Sequence, residues 1–225
     1  MKLFSYESRF SQLLLKLCYS CWLNILWFIC SLPIVTAGAA TTALYYVCFK
    51  VVKGEEGNVT AMFFRSFREN FRQATGLWLV MLGAGIFLGG DIYILYHLRR
   101  AASGPAAIFW TMVMALVIAA AVMYTIVLIY IFPLTASVVN TGRELLKNSF
   151  LIGTHYLFAT ILVFAVHFAM AFAVISIFTP LIIFGEGLCA MISAYLLGGV
   201  IEACSFHPEE QEETEESEGI GQQEP

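Results

Sequence analysis

The chain has 225 residues, 60% of them hydrophobic and only 12% charged, whereas an ordinary water-soluble domain is about a quarter charged and about half apolar. A core of this size cannot hide that excess, because small folds have too much surface for their volume, so a soluble globule is excluded. The formal net charge of −4 is unevenly spread: eight of the sixteen acidic residues follow Pro208, leaving twelve basic against eight acidic before it.

Apolar side chains that face lipid require a backbone that satisfies its own hydrogen bonds, which leaves helices or closed barrels. Long continuous apolar runs, rather than ten-residue alternating strands, select helices. The expected fold is therefore an all-α, polytopic transmembrane bundle over residues 1–205, followed by a disordered acidic tail over 206–225.

In chain order, Leu3, Phe4, Phe10, Leu13 and Leu14 are interrupted by Arg9, Gln12 and Lys16, the pattern of an interfacial segment leading into the first span. The charged region is too long, and the apolar stretch too rich in Trp and Phe, for a cleaved leader to be expected. The first apolar segment covers 17–32 and is broken at Ser31-Leu32-Pro33, because Pro33 lacks a donor and disfavours helix in the residue before it. A second covers 34–52, opening on the small residues Thr36 to Thr42. After the polar turn Lys53–Gly57, a helix is expected over 61–75, with Phe63, Phe64, Phe67 and Phe71 on one broad face and Arg65, Arg68 and Arg72 on another. That arrangement describes a helix lying on a membrane surface.

Further apolar segments cover 77–98, 106–131 (ending near Pro133), 150–178 and 181–201, with Thr135–Asn148 as a polar connector and Thr179-Pro180 as a break. The tail after His207 has no apolar periodicity. Six segments result. The first two are short for a hydrocarbon core of about 30 Å, so five spans plus a re-entrant hairpin half is the alternative.

Orientation follows the basic residues. With 17–52 as a hairpin, Lys2, Arg9, Lys16, Lys50, Lys53, Arg65, Arg68, Arg72, Arg143 and Lys147 share one side, leaving Arg99 and Arg100 on the other. This places both termini in the cytoplasm.

Ionisable groups inside a bilayer are costly and hence the first functional candidates. Asp91, His167 and Glu186 fall inside apolar segments on three different helices, so they can line a polar pocket or proton path, or simply snorkel and make structural contacts. Asn24, in the first segment, suits a hydrogen bond between helices. Arg65, Arg68, Arg72, Arg143 and Lys147 are candidates for docking a partner or an anionic lipid surface. Cys18 and Cys21 form a lone C-x-x-C without a second ligand pair, so no metal is expected, and the six cysteines read as membrane packing rather than a disulfide framework. No phosphate-binding loop, H-E-x-x-H or G-x-S-x-G occurs, and arginines interleaved with membrane-type phenylalanines fit lipid better than nucleic acid. No cofactor is expected.

The run Asn24-Ile25-Leu26-Trp27, then Ser31-Leu32-Pro33-Ile34-Val35-Thr36-Ala37-Gly38 through Tyr46, resembles the signature of the YesL-like family of bacterial membrane proteins. The segments Asn70–Thr75, Phe132-Pro133-Leu134 and Leu145–Phe150 are also similar to that family. The resemblance marks Ser31, Leu32, Pro33, Thr36 and Gly38 as a hairpin motif and implies a bacterial membrane location. It brings no established catalytic residues. The family is a domain of unknown function often associated with carbohydrate-utilisation loci and their ATP-driven uptake systems, so the resemblance implies a non-enzymatic accessory or permease-like component linked to carbohydrate uptake or its regulation, with sugar-uptake transporter subunits as partners beside the lipid bilayer. The E-A-A…G loop by which importer permeases grip their ATPase is not found. The alternative is a small ion-coupled secondary transporter using Asp91, Glu186 and His167. A membrane-embedded enzyme would need Asp91 and Glu186 as a converging acid/base pair. Substrate and oligomeric state are not legible.

Overall fold

The computed structural model describes residues 9–55, 57–176 and 181–205. Over these the chain forms eight α-helices: α1 (Arg9–Ser31), α2 (Ala37–Lys53), α3 (Val59–Glu69), α4 (Phe71–Ala101), α5 (Pro105–Ser137), α6 (Gly142–His155), α7 (Leu157–Ser176) and α8 (Ile182–Ser205), with a 3-10 turn at Ile34–Thr36. By length and composition, Leu14–Ser31, Ile34–Lys53, Phe71–Ala101, Pro105–Ser137 and Leu157–Ser176 can each cross a bilayer, and α8 contributes the shorter apolar stretch Gly185–Ile201. The protein is an all-α polytopic membrane bundle. The expected acidic tail, the first residues of the interfacial segment and the Thr179-Pro180 break lie outside the described residues.

The break between α1 and α2 sits where Pro33 requires it, and three carbonyls beside it find side-chain donors. The Thr36 hydroxyl reaches the carbonyls of Cys30 (2.6 Å) and Pro33 (2.8 Å). The Trp78 indole donates to the carbonyl of Ile34 at 2.7 Å. Trp27 then bridges the two arms through the Thr41 hydroxyl at 3.0 Å. In a bilayer such repairs are what make a broken helix tolerable.

Helix α2 is the centre of the molecule. It packs against α1, α3, α4, α5 and α8, and Ala39, Ala40, Ala43, Leu44, Val47, Cys48 and Val51 are all inaccessible. Small residues make this possible, because they let helix backbones approach closely. A Cβ on Gly38 would collide with the Cβ of Trp78 and lie 2.6 Å from the carbonyl oxygen of Ala74.

Three boundaries and the facing of one helix differ from the sequence expectation. The helix expected over 61–75 is two helices, parted at Asn70, whose side-chain amide takes the carbonyl of Ser66 at 3.1 Å. The first of them, α3, does not present its whole apolar face to lipid: Val59 and Phe63 are buried in the protein core, against α2. Helix α5 runs through Pro133 to Ser137. Proline removes one helical hydrogen bond, the one its own N–H would give to the carbonyl of Ile129, and the helix continues through it with residues 130–135 buried and the Thr135 and Ser137 hydroxyls folded back on the carbonyls of Ile131 (2.6 Å) and Pro133 (2.9 Å).

Finally, the expected connector 135–148 and span 150–178 are redistributed into α6 and α7. Helix α6 starts at a capping box, in which Thr141 and Glu144 exchange backbone and side-chain bonds, and it ends at Tyr156. There the Thr160 hydroxyl bonds the carbonyl of Gly153 at 2.9 Å and meets the Tyr130 phenol at 3.0 Å.

Beyond the α1–α2 turn, α4 and α5 continue as an antiparallel pair joined by the Tyr124 phenol, which donates to the carbonyl of Met81 at 2.9 Å. Their outer faces are apolar and open, with Ile86 69% and Leu116 72% exposed. Such surfaces belong against lipid.

Candidate functional site: an intramembrane histidine–glutamate pair

Helices α7 and α8 are neighbours in the chain and pack against each other, and α8 also packs along α1 and α2. At the α7–α8 contact, His167 on α7 faces Glu186 on α8, with Nε2 and Oε1 4.0 Å apart and side chains 32% and 30% exposed. The other ring nitrogen, Nδ1, lies 2.9 Å from the carbonyl oxygen of Val163. A carbonyl only accepts, so Nδ1 carries a proton. Nε2 is left as the ring nitrogen that faces the carboxyl, and at 4.0 Å the two side chains form an electrostatic pair rather than a hydrogen bond.

The glycines on either side of Glu186 let α8 come close enough for this. A Cβ on Gly185 would lie 3.0 Å from Cγ and Sδ of Met170 on α7, and one on Gly187 would strike the carbonyl oxygen of Ser20 and lie 2.9 Å from Cβ of Asn24 on α1. Asn24, wholly buried, accepts the backbone N–H of Gly187 at 2.6 Å through Oδ1. Asn24 lies near the middle of the apolar stretch Leu14–Ser31, so Glu186 sits well within the bundle. Tyr45, Cys48 and Cys189, all buried, lie within electrostatic reach of its carboxyl.

The remaining sequence candidates are placed elsewhere. Asp91 is half-buried on α4, a helix that packs on α5 and α2, and no ion pair links it to His167 or Glu186 among the described residues. Arg99 donates instead to the Thr111 hydroxyl (2.9 Å), and Arg100 to the Tyr96 phenol (3.2 Å). The three ionisable groups are thus a pair and an outlier, and Asp91 and Glu186 do not converge. Arg65 bonds Glu69 at 2.9 Å on the exposed face of α3, and Arg68, Arg72, Arg143 and Lys147 are exposed. Cys18, Cys21, Cys30, Cys48 and Cys189 are free thiols. Among the described residues no three His, Cys, Asp or Glu side chains gather as metal ligands. Sequence reasoning missed Tyr45, Cys48 and Cys189 as neighbours of Glu186, and no local signal points to them.

Fold and site define a class: a helical, multi-pass membrane protein that keeps a titratable pair inside its bundle. Residues 21–92 match the family described as "Protein of unknown function, DUF624". The chain is 27% identical over 149 residues to the uncharacterized protein YesL of Bacillus subtilis (strain 168), an alignment covering 64% of this chain and 65% of that protein. No solved structure matches. Together these matches support a YesL-like member of that family, in which the matched stretch is the α1–α2 hairpin, α3 and most of α4.

Proposed function

We propose that the protein is an accessory or permease-like membrane component, without enzymatic activity, that docks partner subunits of a carbohydrate-uptake system or of its regulation. One observation carries this reading. Two short amphipathic helices, α3 and α6, each keep one face in the bundle, through Phe63 and Leu145, and each present cations outward, Arg65 and Arg68 from one and Arg143 and Lys147 from the other. Exposed arginines suit recognition of carboxylates on a partner. Their placement on the cytoplasmic side, in the plasma membrane, is supported by the ten-to-two split of basic residues. The link to sugar uptake is supported by the family resemblance.

The experiment is affinity purification from native membranes in mild detergent, with mass spectrometry of bound proteins. Importer subunits should accompany the wild-type chain and be lost from an Arg65→Ala, Arg68→Ala, Arg72→Ala variant that retains its melting temperature. Recovery of the chain alone from wild-type membranes would overturn the reading.

The His167–Glu186 pair favours a second reading, an ion-coupled carrier in which this pair binds the coupling proton. Glu186→Gln would then abolish pH-driven substrate accumulation in proteoliposomes while the protein stays folded. Accumulation at the wild-type rate by that variant would reject it.

A further inference from the structure

Polar side chains enclosed in a membrane bundle are costly unless they are paired or serve a purpose. The enclosed hydroxyls of Thr42, Thr135 and Ser149 satisfy themselves by folding back on the carbonyls of Gly38, Ile131 and Leu145, four residues earlier. Ser193 on α8, wholly enclosed, does not, and its Oγ closes no hydrogen bond among the described residues. The phenol of Tyr45 on α2, itself buried, stands beside it. Two adjacent buried hydroxyls, one of them unsatisfied, make a polar spot of the kind that holds an ordered water.

This spot lies between Glu186 and the end of the bundle where α2 terminates. Glu186 and Ser193 are seven residues apart on α8, two turns and about 10 Å, so they share one face. That interval is too wide for direct transfer of a proton, but the Tyr45 phenol that adjoins Ser193 is also within electrostatic reach of the Glu186 carboxyl. Beyond Ser193, α2, α5 and α8 leave a cavity of about 300 Å³ with Tyr46, Ser137 and Gly198 in its wall. Lys50 and Lys53 also line it, and ionisable side chains at such a place face water. Gly198 is five residues from Ser193, about 7.5 Å along the helix. The enclosed Leu197 stands in that interval, so cavity and hydroxyls are neighbours without forming one open channel.

We propose that Tyr45 and Ser193 relay protons between this cavity and the Glu186 carboxyl, through an ordered water held at the two hydroxyls. Each hydroxyl oxygen takes a proton from the cavity side and releases its own toward Glu186, so one proton moves and each hydroxyl ends as it began. The other titratable groups near the carboxyl are His167 from α7, Cys48 from α2 and Cys189 from α8, and α1 contributes the neutral Asn24. Thiols are weak donors and acceptors, which leaves the hydroxyls as the competent route. This inference rests on the second reading above, in which the His167–Glu186 pair binds a proton, and adds the way by which the proton arrives.

The test is a pH jump on the full chain in lipid nanodiscs, followed by time-resolved infrared spectroscopy of the carboxyl stretch. The Glu186 band is identified as the one absent from Glu186→Gln. Tyr45→Phe and Ser193→Ala should each slow protonation of Glu186 by about tenfold or more, whereas Cys48→Ala should keep the wild-type rate. Either hydroxyl variant decides the point if the other fails to fold. Leu197→Ala, which widens the passage from the cavity, should speed protonation, and an unchanged rate there would overturn the cavity as the source. Wild-type rates in Tyr45→Phe and Ser193→Ala would overturn the relay and leave the proton-binding reading standing. Equal slowing in Cys48→Ala would show a general distortion of the site and overturn the relay as well. A wild-type Glu186 band that does not respond to pH would overturn both the relay and the reading it rests on.

Discussion

Helices α2 and α5 are both apolar enough to cross a bilayer, yet one is enclosed by five neighbours and the other is open along most of its length. The open helix is the more apolar of the two, but hydrophobicity alone does not decide which is enclosed, since lipid tails are as apolar as a protein core. Size and polar handles do. The buried arm of α2 is built from Gly38, Ala39, Ala40, Thr42 and Ala43, which let α4 and α5 close on it, whereas the open stretch of α5 carries Ile108, Phe109, Met112 and Leu116 facing outward. Where α5 does become buried, at residues 130–135, it gains Thr135 and a phenol–hydroxyl contact from Tyr130 to Thr160.

This contrast is most sharply broken by placing bulk at the centre. Gly38→Leu should cost about 3 kcal/mol or more, the upper range for overpacking, because neither the Ala74 carbonyl nor the Trp78 backbone can retreat. Gly83→Leu on α4, where a Cβ meets nothing within 4 Å, should be neutral. Unfolding of both variants in detergent decides this. A smaller effect is expected at the polar junction: Asn24→Ala removes the bond to the Gly187 amide and should cost about 0.6–2 kcal/mol, the span found for hydrogen bonds between membrane helices, in the same assay.

Smaller again is the loss at the α6 cap. The Thr141 backbone N–H and hydroxyl hold the Glu144 carboxyl below the ordinary carboxylate range. Its contribution is present above the unfolded value of 4.5 and is lost as pH falls through the lowered one. Thr141→Ala should therefore lower the melting temperature slightly at neutral pH, and the difference from wild type should shrink in acid. Least of all, Leu116→Ala on the open face of α5 should change stability by no more than about 0.5 kcal/mol.

Much of this architecture is legible in the sequence because the bilayer imposes it. Apolar length marks the spans, and Pro33 marks the first break. The breaks at Asn70 and Tyr156, and the passage of α5 through Pro133, are not legible, because each depends on side-chain bonds and packing that composition does not specify: Asn70 to the Ser66 carbonyl, Thr160 to the Gly153 carbonyl, and the burial of residues 130–135 around Pro133. The start of α6 is an exception, since Thr141-Gly142-Arg143-Glu144 is a capping-box pattern that the polar composition of the connector obscures. At the site, burial cost singles out Asp91, His167 and Glu186, but only the packing order of the helices determines which two meet. The α3 stripe shows the same limit, because a face carrying Phe63 suits lipid and a protein neighbour equally.

The docking claim is tested most directly by photo-crosslinking in native membranes. A crosslinking residue is placed in turn at Arg68 on α3, Lys147 on α6 and, as the lipid-facing control, Met112 on α5. The expected result is a protein adduct to an importer subunit from positions 68 and 147 and only lipid adducts from position 112. Protein adducts from position 112, with none from the two basic helices, would contradict it.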